Sequence, residues 1–234
     1  NRGWAFNVGV RKYPSADYYF FADNDIIMSD KDLINVFRNC FNYEAVNPYN
    51  KIFDMYKEFA DTSLINGFYQ NGINGDIRKY IISSRSATCF SGGIVGLSNK
   101  AVFLLSGWDE RFRGRGWEDY AFTAKIYLFL TNVITLSHTA LHLWHPWETN
   151  TTREINSTLD KSYAKYTVTD IATEIQKTAD IFGNRDKYRD ENKLDIDQKV
   201  TDKFDNFLKL KYYQDFEFRV IIAKVRYEKI YQCC

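Results

Sequence analysis

Four short stretches of this 234-residue chain combine residue types that can hold or move charge. The first is Asp23-Asn24-Asp25, directly after the aromatic run Asp17-Tyr18-Tyr19-Phe20-Phe21-Ala22. A strand that ends in two closely spaced carboxylates offers acceptor oxygens at the carboxyl edge of a sheet, where α/β proteins usually bind ligands. Mg²⁺ and Mn²⁺ take such oxygens, and a diphosphate can complete the coordination. The same tripeptide is also ordinary turn and helix-capping composition. The second stretch holds every histidine of the protein: His138, His142 and His145, in Ser-His-Thr-Ala-Leu-His-Leu-Trp-His-Pro. Imidazole is the commonest side chain on transition ions, and histidines kept for structural reasons would be scattered. His142 and His145 bracket Leu143-Trp144 at the end of an expected strand, so one or both can face the carboxylates. A packed aromatic strand with hydrogen-bonded core histidines is the competing reading.

The third stretch is Gly114-Arg115-Gly116-Trp117-Glu118-Asp119-Tyr120. Its glycines permit close substrate approach and loop motion, and they lead to two adjacent carboxylates at a helix N-terminus. Acids at that position are also favoured by the helix dipole alone. The fourth is Phe90-Ser91-Gly92-Gly93, where paired glycines weaken a strand unless a ligand or another backbone comes close.

The elements that must position these residues follow from local pattern. Residues 1 to about 60 read as helix, strand and helix: Ala5 to Tyr13 helical, Asp17 to Ala22 a strand, then a helix to about Asn39 capped by Ser29 or Asp30. Residues 61–85, with Asn71-Gly72 and Asn74-Gly75, read as a long loop. A strand is expected over Thr88 to Leu97, a helix from about Asn99 and a Gly-rich turn from Gly107 to Gly116. A helix from Trp117 to Leu130 and strands near 132–136 and 139–144 come next. Beyond about residue 150 the chain is charged and helical in pattern. The expected organisation is therefore a core over 1–149 and a helical C-terminal extension over 150–234.

Composition narrows the class. Hydrophobic residues make up 45% of the chain and aromatics 17%, which supplies one sizeable α/β core. The net charge of +1 gives no field that would draw nucleic acid or an acidic membrane surface. No apolar run reaches the roughly 18–20 residues that a bilayer requires. The four cysteines, Cys40, Cys89, Cys233 and Cys234, form neither a disulfide framework nor a paired zinc motif, which points to a reducing compartment. A cytoplasmic or membrane-peripheral setting fits, and a Golgi lumen is compatible.

Taken together and in order, these segments resemble glycosyltransferases of the β-1,4-galactosyltransferase and chondroitin synthase (N-acetylgalactosaminyltransferase) type and related bacterial family-2 enzymes. The resemblance rests on Phe6-Asn7-Val8-Gly9, the aromatic strand into Asp23-Asn24-Asp25, Phe90-Ser91-Gly92-Gly93 to Leu97-Ser98, and Gly107-Trp108-Asp109-Glu110-Arg111-Phe112. Gly114 to Asp119 and His142-Leu143-Trp144-His145 complete it, so that it covers roughly residues 4 to 146. Two departures are visible: Arg115 stands where related enzymes often have Trp, and Tyr120 and Ala121 follow the acid pair where many carry another acid.

The resemblance implies a GT-A fold, a mixed sheet flanked by helices, with its first nucleotide-binding βαβ units outside this chain. It implies Mn²⁺ (or Mg²⁺) bound by Asp25 and His145, with His142 adjacent or sharing the task. Asp23 would stand beside the donor ribose or behind the metal. Asp119 would be the general base on the acceptor hydroxyl, and Glu118 would hold acceptor or donor hydroxyls. Gly92 and Gly93 would line the sugar pocket, Phe90 would tune which sugar fits, and Trp108 and Trp117 would offer faces for sugar rings. The implied reaction is a single inverting displacement from a UDP-sugar to a glycan, glycoprotein or glycolipid hydroxyl. A carbohydrate-binding or scaffolding module of the same fold without catalysis is the alternative. A hydrolytic metalloenzyme ranks last, for want of a His-Glu-x-x-His motif.

Overall fold

In the computed structural model the described residues are 2–60, 62–87, 90, 93–112, 118–146, 172, 173 and 175. Helix α1 (Arg2–Lys12) leads to strands β1 (Tyr18–Ala22) and β2 (Ile26–Met28) and to helix α2 (Asp30–Asn39). Strands β3 (Ala45–Asn47) and β4 (Lys51–Met55) follow, then helices α3 (Thr62–Asn71) and α4 (Gly75–Arg78) and strand β5 (Ile81–Ser86). The remaining described elements are β6 (Ile94–Ser98), α5 (Asn99–Leu104), α6 (Glu118–Phe129), β7 (Val133–Thr135) and β8 (Thr139–His142). No described helix is long and apolar enough to cross a membrane. Cys40 is a free, buried thiol.

The described residues fall into two compact units. One takes residues 2–19 and 99–131 with the described residues beyond 149; the other takes Phe20–Ser98 and 132–146. The expected boundary after 149 falls among residues outside the described ones. The expected extension over 150–234 lies outside the described residues, apart from the helical Ala172, Thr173 and Ile175.

In the first unit, α1, α5 and α6 surround an aromatic core. Trp108 stacks on Phe122 at 3.8 Å between centroids, and Phe6 meets its edge at 5.1 Å. The turn from Ser106 to Phe112 is irregular, with Ser106 and Gly107 at φ 51 and 52. Side chains hold it from within. Asn7, fully buried, donates to Trp108 O (2.9 Å) and Glu110 Oε1 (2.8 Å) and accepts from Trp108 N–H (3.0 Å). Lys125, equally buried, donates to Leu105 O and Gly107 O. Asp109 accepts from the backbone N–H and the guanidinium of Arg111.

In the second unit the strands form two mixed sheets, ordered β1-β6-β3-β7 and β2-β8-β4-β5. Within the second sheet β8 runs antiparallel to β2 and parallel to β4, and β4 pairs antiparallel with β5. One row of the ladder sets Ile26, His142, Asp54 and Ser83 abreast across all four strands. The helix placed by sequence after the aromatic strand is α2. Ser29 is its N-cap and accepts from Asp32 N–H at 3.3 Å. The fold is thus mixed α/β.

Three expectations are corrected. Of residues 61–85, expected as a long loop, the described 62–85 form α3, α4 and most of β5. Phe68 and Ile77 of those helices are buried against Ile27, Met55, Phe59 and Leu141, which makes the segment part of the core. Its Asn-Gly pairs punctuate helices: Gly72 ends α3 at φ 66, and the Asn74 side chain caps α4 through Asp76 N–H and Ile77 N–H. Of the strand expected over Thr88 to Leu97, the described part is β6 from Ile94. Phe90 and Gly93 are not in it, Gly93 at φ 96 lying off the pleat, and Thr88 and Gly92 lie outside the described residues. Finally, the helix–strand–helix reading of the first 60 residues omits β2, β3 and β4. β2 and β3 are three residues long and buried throughout, so they carry no alternating pattern.

Candidate metal centre

His142 is the last residue of β8, and Asp25 lies in the turn that enters β2, beside it in the sheet. Leu143 N–H donates to Asp25 O at 2.8 Å, which carries the pairing one step past the strand end and fixes the turn. His145 follows three residues on, with its ring 5.3 Å from that of His142 and nearly perpendicular to it. One ligand atom from each of Asp25, His142 and His145 lies within 4.8 Å of the other two. His145 Nε2 is 3.4 Å and His142 Nε2 3.7 Å from Asp25 Oδ2. The side chains are partly exposed, 13% for His142 and about a third for Asp25 and His145, so the cluster is reachable from solvent.

The other nitrogen of each ring explains how the rings are aimed. His142 Nδ1 is 2.9 Å from Asp54 Oδ1, and His145 Nδ1 is 3.1 Å from the Pro146 carbonyl. Carboxylates and carbonyls only accept, so each Nδ1 is placed to donate, and each ring turns Nε2 towards Asp25. Two imidazole nitrogens and a carboxylate oxygen then face one another, an arrangement that a cation stabilises. Asp54 is buried enough to push its carboxyl up. Hydrogen bonds from Ser83 and His142 and the Arg85 charge outweigh that and hold it below the usual aspartate range.

The donor set fits a transition ion better than Mg²⁺. Imidazole suits first-row transition ions, and Mg²⁺ favours an all-oxygen octahedron. Asp54, which sequence reasoning missed, has no motif around it in Lys51-Ile52-Phe53-Asp54-Met55. Only the β4–β8 register brings it to His142.

The remaining expected site residues separate into groups. Asp23 is engaged with Gly93 at both ends: its N–H donates to Gly93 O (2.8 Å) and its carboxylate accepts from Gly93 N–H (3.0 Å). A Cβ on Gly93 would collide with the Tyr49 hydroxyl, which itself accepts from Ile94 N–H at 2.9 Å. The need for glycine there comes from the protein's own packing, without any ligand. His138 stands apart from the cluster, tied to α2 through Asn35 and Asp32.

Glu118 and Asp119 open α6 in the first unit, as expected of an acid pair at a helix N-terminus. Arg2 Nη1 donates to both Asp119 oxygens (3.1 and 3.0 Å) and lies 3.5 Å from Glu118 Oε1. Trp108 does not offer a face to sugar rings: it is 2% exposed and already stacked on Phe122. Phe90 is likewise buried, its ring in the interior. Gly92 and Trp117 lie outside the described residues, as does Arg115. Comparison with protein-family models, curated proteins and solved structures finds no match to this chain.

Proposed function

We propose that this chain is the catalytic part of a metal-dependent, inverting glycosyltransferase of the GT-A kind. It transfers a galactose- or N-acetylgalactosamine-like sugar from a UDP-sugar to a hydroxyl of a glycan, glycoprotein or glycolipid. One observation carries the reading: Asp25, His142 and His145, the residues singled out by the resemblance, form one three-residue cluster. A bound Mn²⁺ would neutralise the negative charge that grows on the departing diphosphate. Asp25, His142 and His145 would hold that ion. Asp119 takes the proton of the acceptor hydroxyl as it attacks the anomeric carbon, and Glu118 orients sugar hydroxyls beside it. Their roles rest on the resemblance and on their place at the start of α6.

Calorimetric titration of UDP into the protein, with Mn²⁺ and then with EDTA, tests the reading. Binding that requires Mn²⁺ is the expected result. Glycan binding without metal or nucleotide would replace it with a binding module, and tight zinc binding without nucleotide would replace it with a hydrolase. Asp119→Asn is expected to abolish transfer while UDP–Mn²⁺ binding persists; wild-type turnover in that variant would remove Asp119 from the base role.

A further inference from the structure

We infer that Asp54 is the positioning residue of the metal centre: it accepts the Nδ1 proton of His142 and thereby turns Nε2 of that ring towards Asp25. The inference rests on the metal reading above and deepens it. Three observations support it. First, the sheet itself aligns the parts: Ser83, Asp54 and His142 stand abreast on adjacent strands. Residues paired in this way project to the same face. Second, both carboxylate oxygens are in use. Oδ1 meets His142 at 2.9 Å and Oδ2 accepts from the Ser83 hydroxyl at 2.6 Å, so the carboxylate cannot rotate away without breaking one of them. Third, the ordinary reading, a surface ion pair with Arg85, accounts for the smaller part of the geometry. Arg85 Nε is 3.4 Å away on a side chain that is half exposed, and it adds to the two shorter bonds without replacing either.

The chemistry is that of a carboxylate behind a metal-bound imidazole. The outer carboxylate fixes which nitrogen carries the proton, sets the ring plane and makes the other nitrogen a better donor to a cation. Left to itself, an imidazole in water mixes its two tautomers. In this chain Asp54, held on β4 between β8 and β5, favours the one that leaves Nε2 open.

The full-length chain, ¹⁵N-labelled, provides a readout independent of transfer activity. With three histidines in the protein, ring-nitrogen spectra resolve each ring, and a His142→Gln variant assigns the one of interest. In metal-free protein at pH 8, His142 is expected to be protonated on Nδ1. In Asp54→Ala it is expected to move to the mixed or Nε2-protonated form. Titrated with Mn²⁺ alone, Asp54→Ala is expected to bind about 10–100-fold more weakly than wild type. Ser83→Ala, which leaves Asp54 and His142 in place, shifts both readouts the same way by less. It carries the test if the alanine at 54 does not fold. Wild-type Mn²⁺ affinity together with unchanged His142 nitrogen shifts in Asp54→Ala would overturn the inference and leave the metal reading standing. Absence of Mn²⁺ binding in the wild type and every variant would overturn the metal reading and this inference with it.

Discussion

The turn from Ser106 to Phe112 and the cluster of Asp25, His142 and His145 draw on the same kinds of side chain and treat them in opposite ways. In the turn, Asp109, Glu110, Asn7 and Lys125 are all buried, and each meets partners inside the protein. Burying such groups is tolerable only when their hydrogen-bonding capacity is met there. In the cluster, the acceptors converge on one another at 3.4–3.7 Å while remaining partly exposed. Groups buried among their partners hold the chain; groups gathered at one partly exposed point can take a cation. Charge and spacing in the sequence give the two regions equal prominence, and burial and geometry tell them apart.

That contrast can be broken or sharpened by substitution. The largest effect is expected for Asp109→Asn, which breaks the ion pair of the buried Asp109 carboxylate with Arg111 and removes a negative charge near Lys125. A loss of about 3–5 kcal/mol in denaturant unfolding is expected, the range for breaking a buried charge pair. A loss below about 1 kcal/mol would mean that the turn is not held by its charges. Asp25→Ala should act the other way round. Mn²⁺ affinity measured by calorimetry falls ~100-fold or more, beyond the loss of an outer partner, while stability moves by no more than about 0.5 kcal/mol. A strongly destabilised Asp25→Ala would make the cluster structural, like the turn.

Gly93→Ala comes next, at about 2 kcal/mol for the strained backbone. Adding Tyr49→Phe should recover part of the loss, since the collision is with the Tyr49 hydroxyl. Simple additivity of the two substitutions would rule out that clash. The mildest perturbation is acid. Asp109 is pushed up by its burial and pulled further down by Arg111 and Lys125, and Asp54 is also held low. Both therefore bind protons less readily folded than unfolded. Their contribution is fully present above about pH 4, the unfolded value, and is lost as pH falls through the lower folded values. Unfolding midpoints between pH 5 and 2 should show this fall, and Asp109→Asn should flatten part of it.

How much of this was legible beforehand depended on distance along the chain. The Ser29 cap, α2, α6 and β8 are local features, written in capping residues and apolar pattern within a few positions. The metal candidates were legible because the histidines crowd into one stretch and Asp25 follows an unmistakable strand. Asp54 was not, because its meeting with His142 spans 88 positions and depends on which strands pair. Trp108 misled for a related reason: the resemblance gives it a sugar-facing role, and nothing local reveals that Phe122 stacks on it. The Asn-Gly pairs misled because the same dipeptide closes a loop or separates two helices. Burial of Phe68 and Ile77 decides for the helices.

The row that sets His142, Asp54 and Ser83 abreast also makes these strands intolerant of changes in length. Side chains alternate between the faces of a sheet, so parity matters more than identity. One residue inserted between Lys51 and Asp54 would send the carboxylate to the far face, away from His142, even with every original residue retained. Two inserted residues would restore the face and shift the partner. Between Met55 and Ile81 strand parity does not set the count; there the helices are held by burial of Phe68 and Ile77 in the core. Relatives of this chain should therefore agree, residue for residue, along β4, β5 and β8.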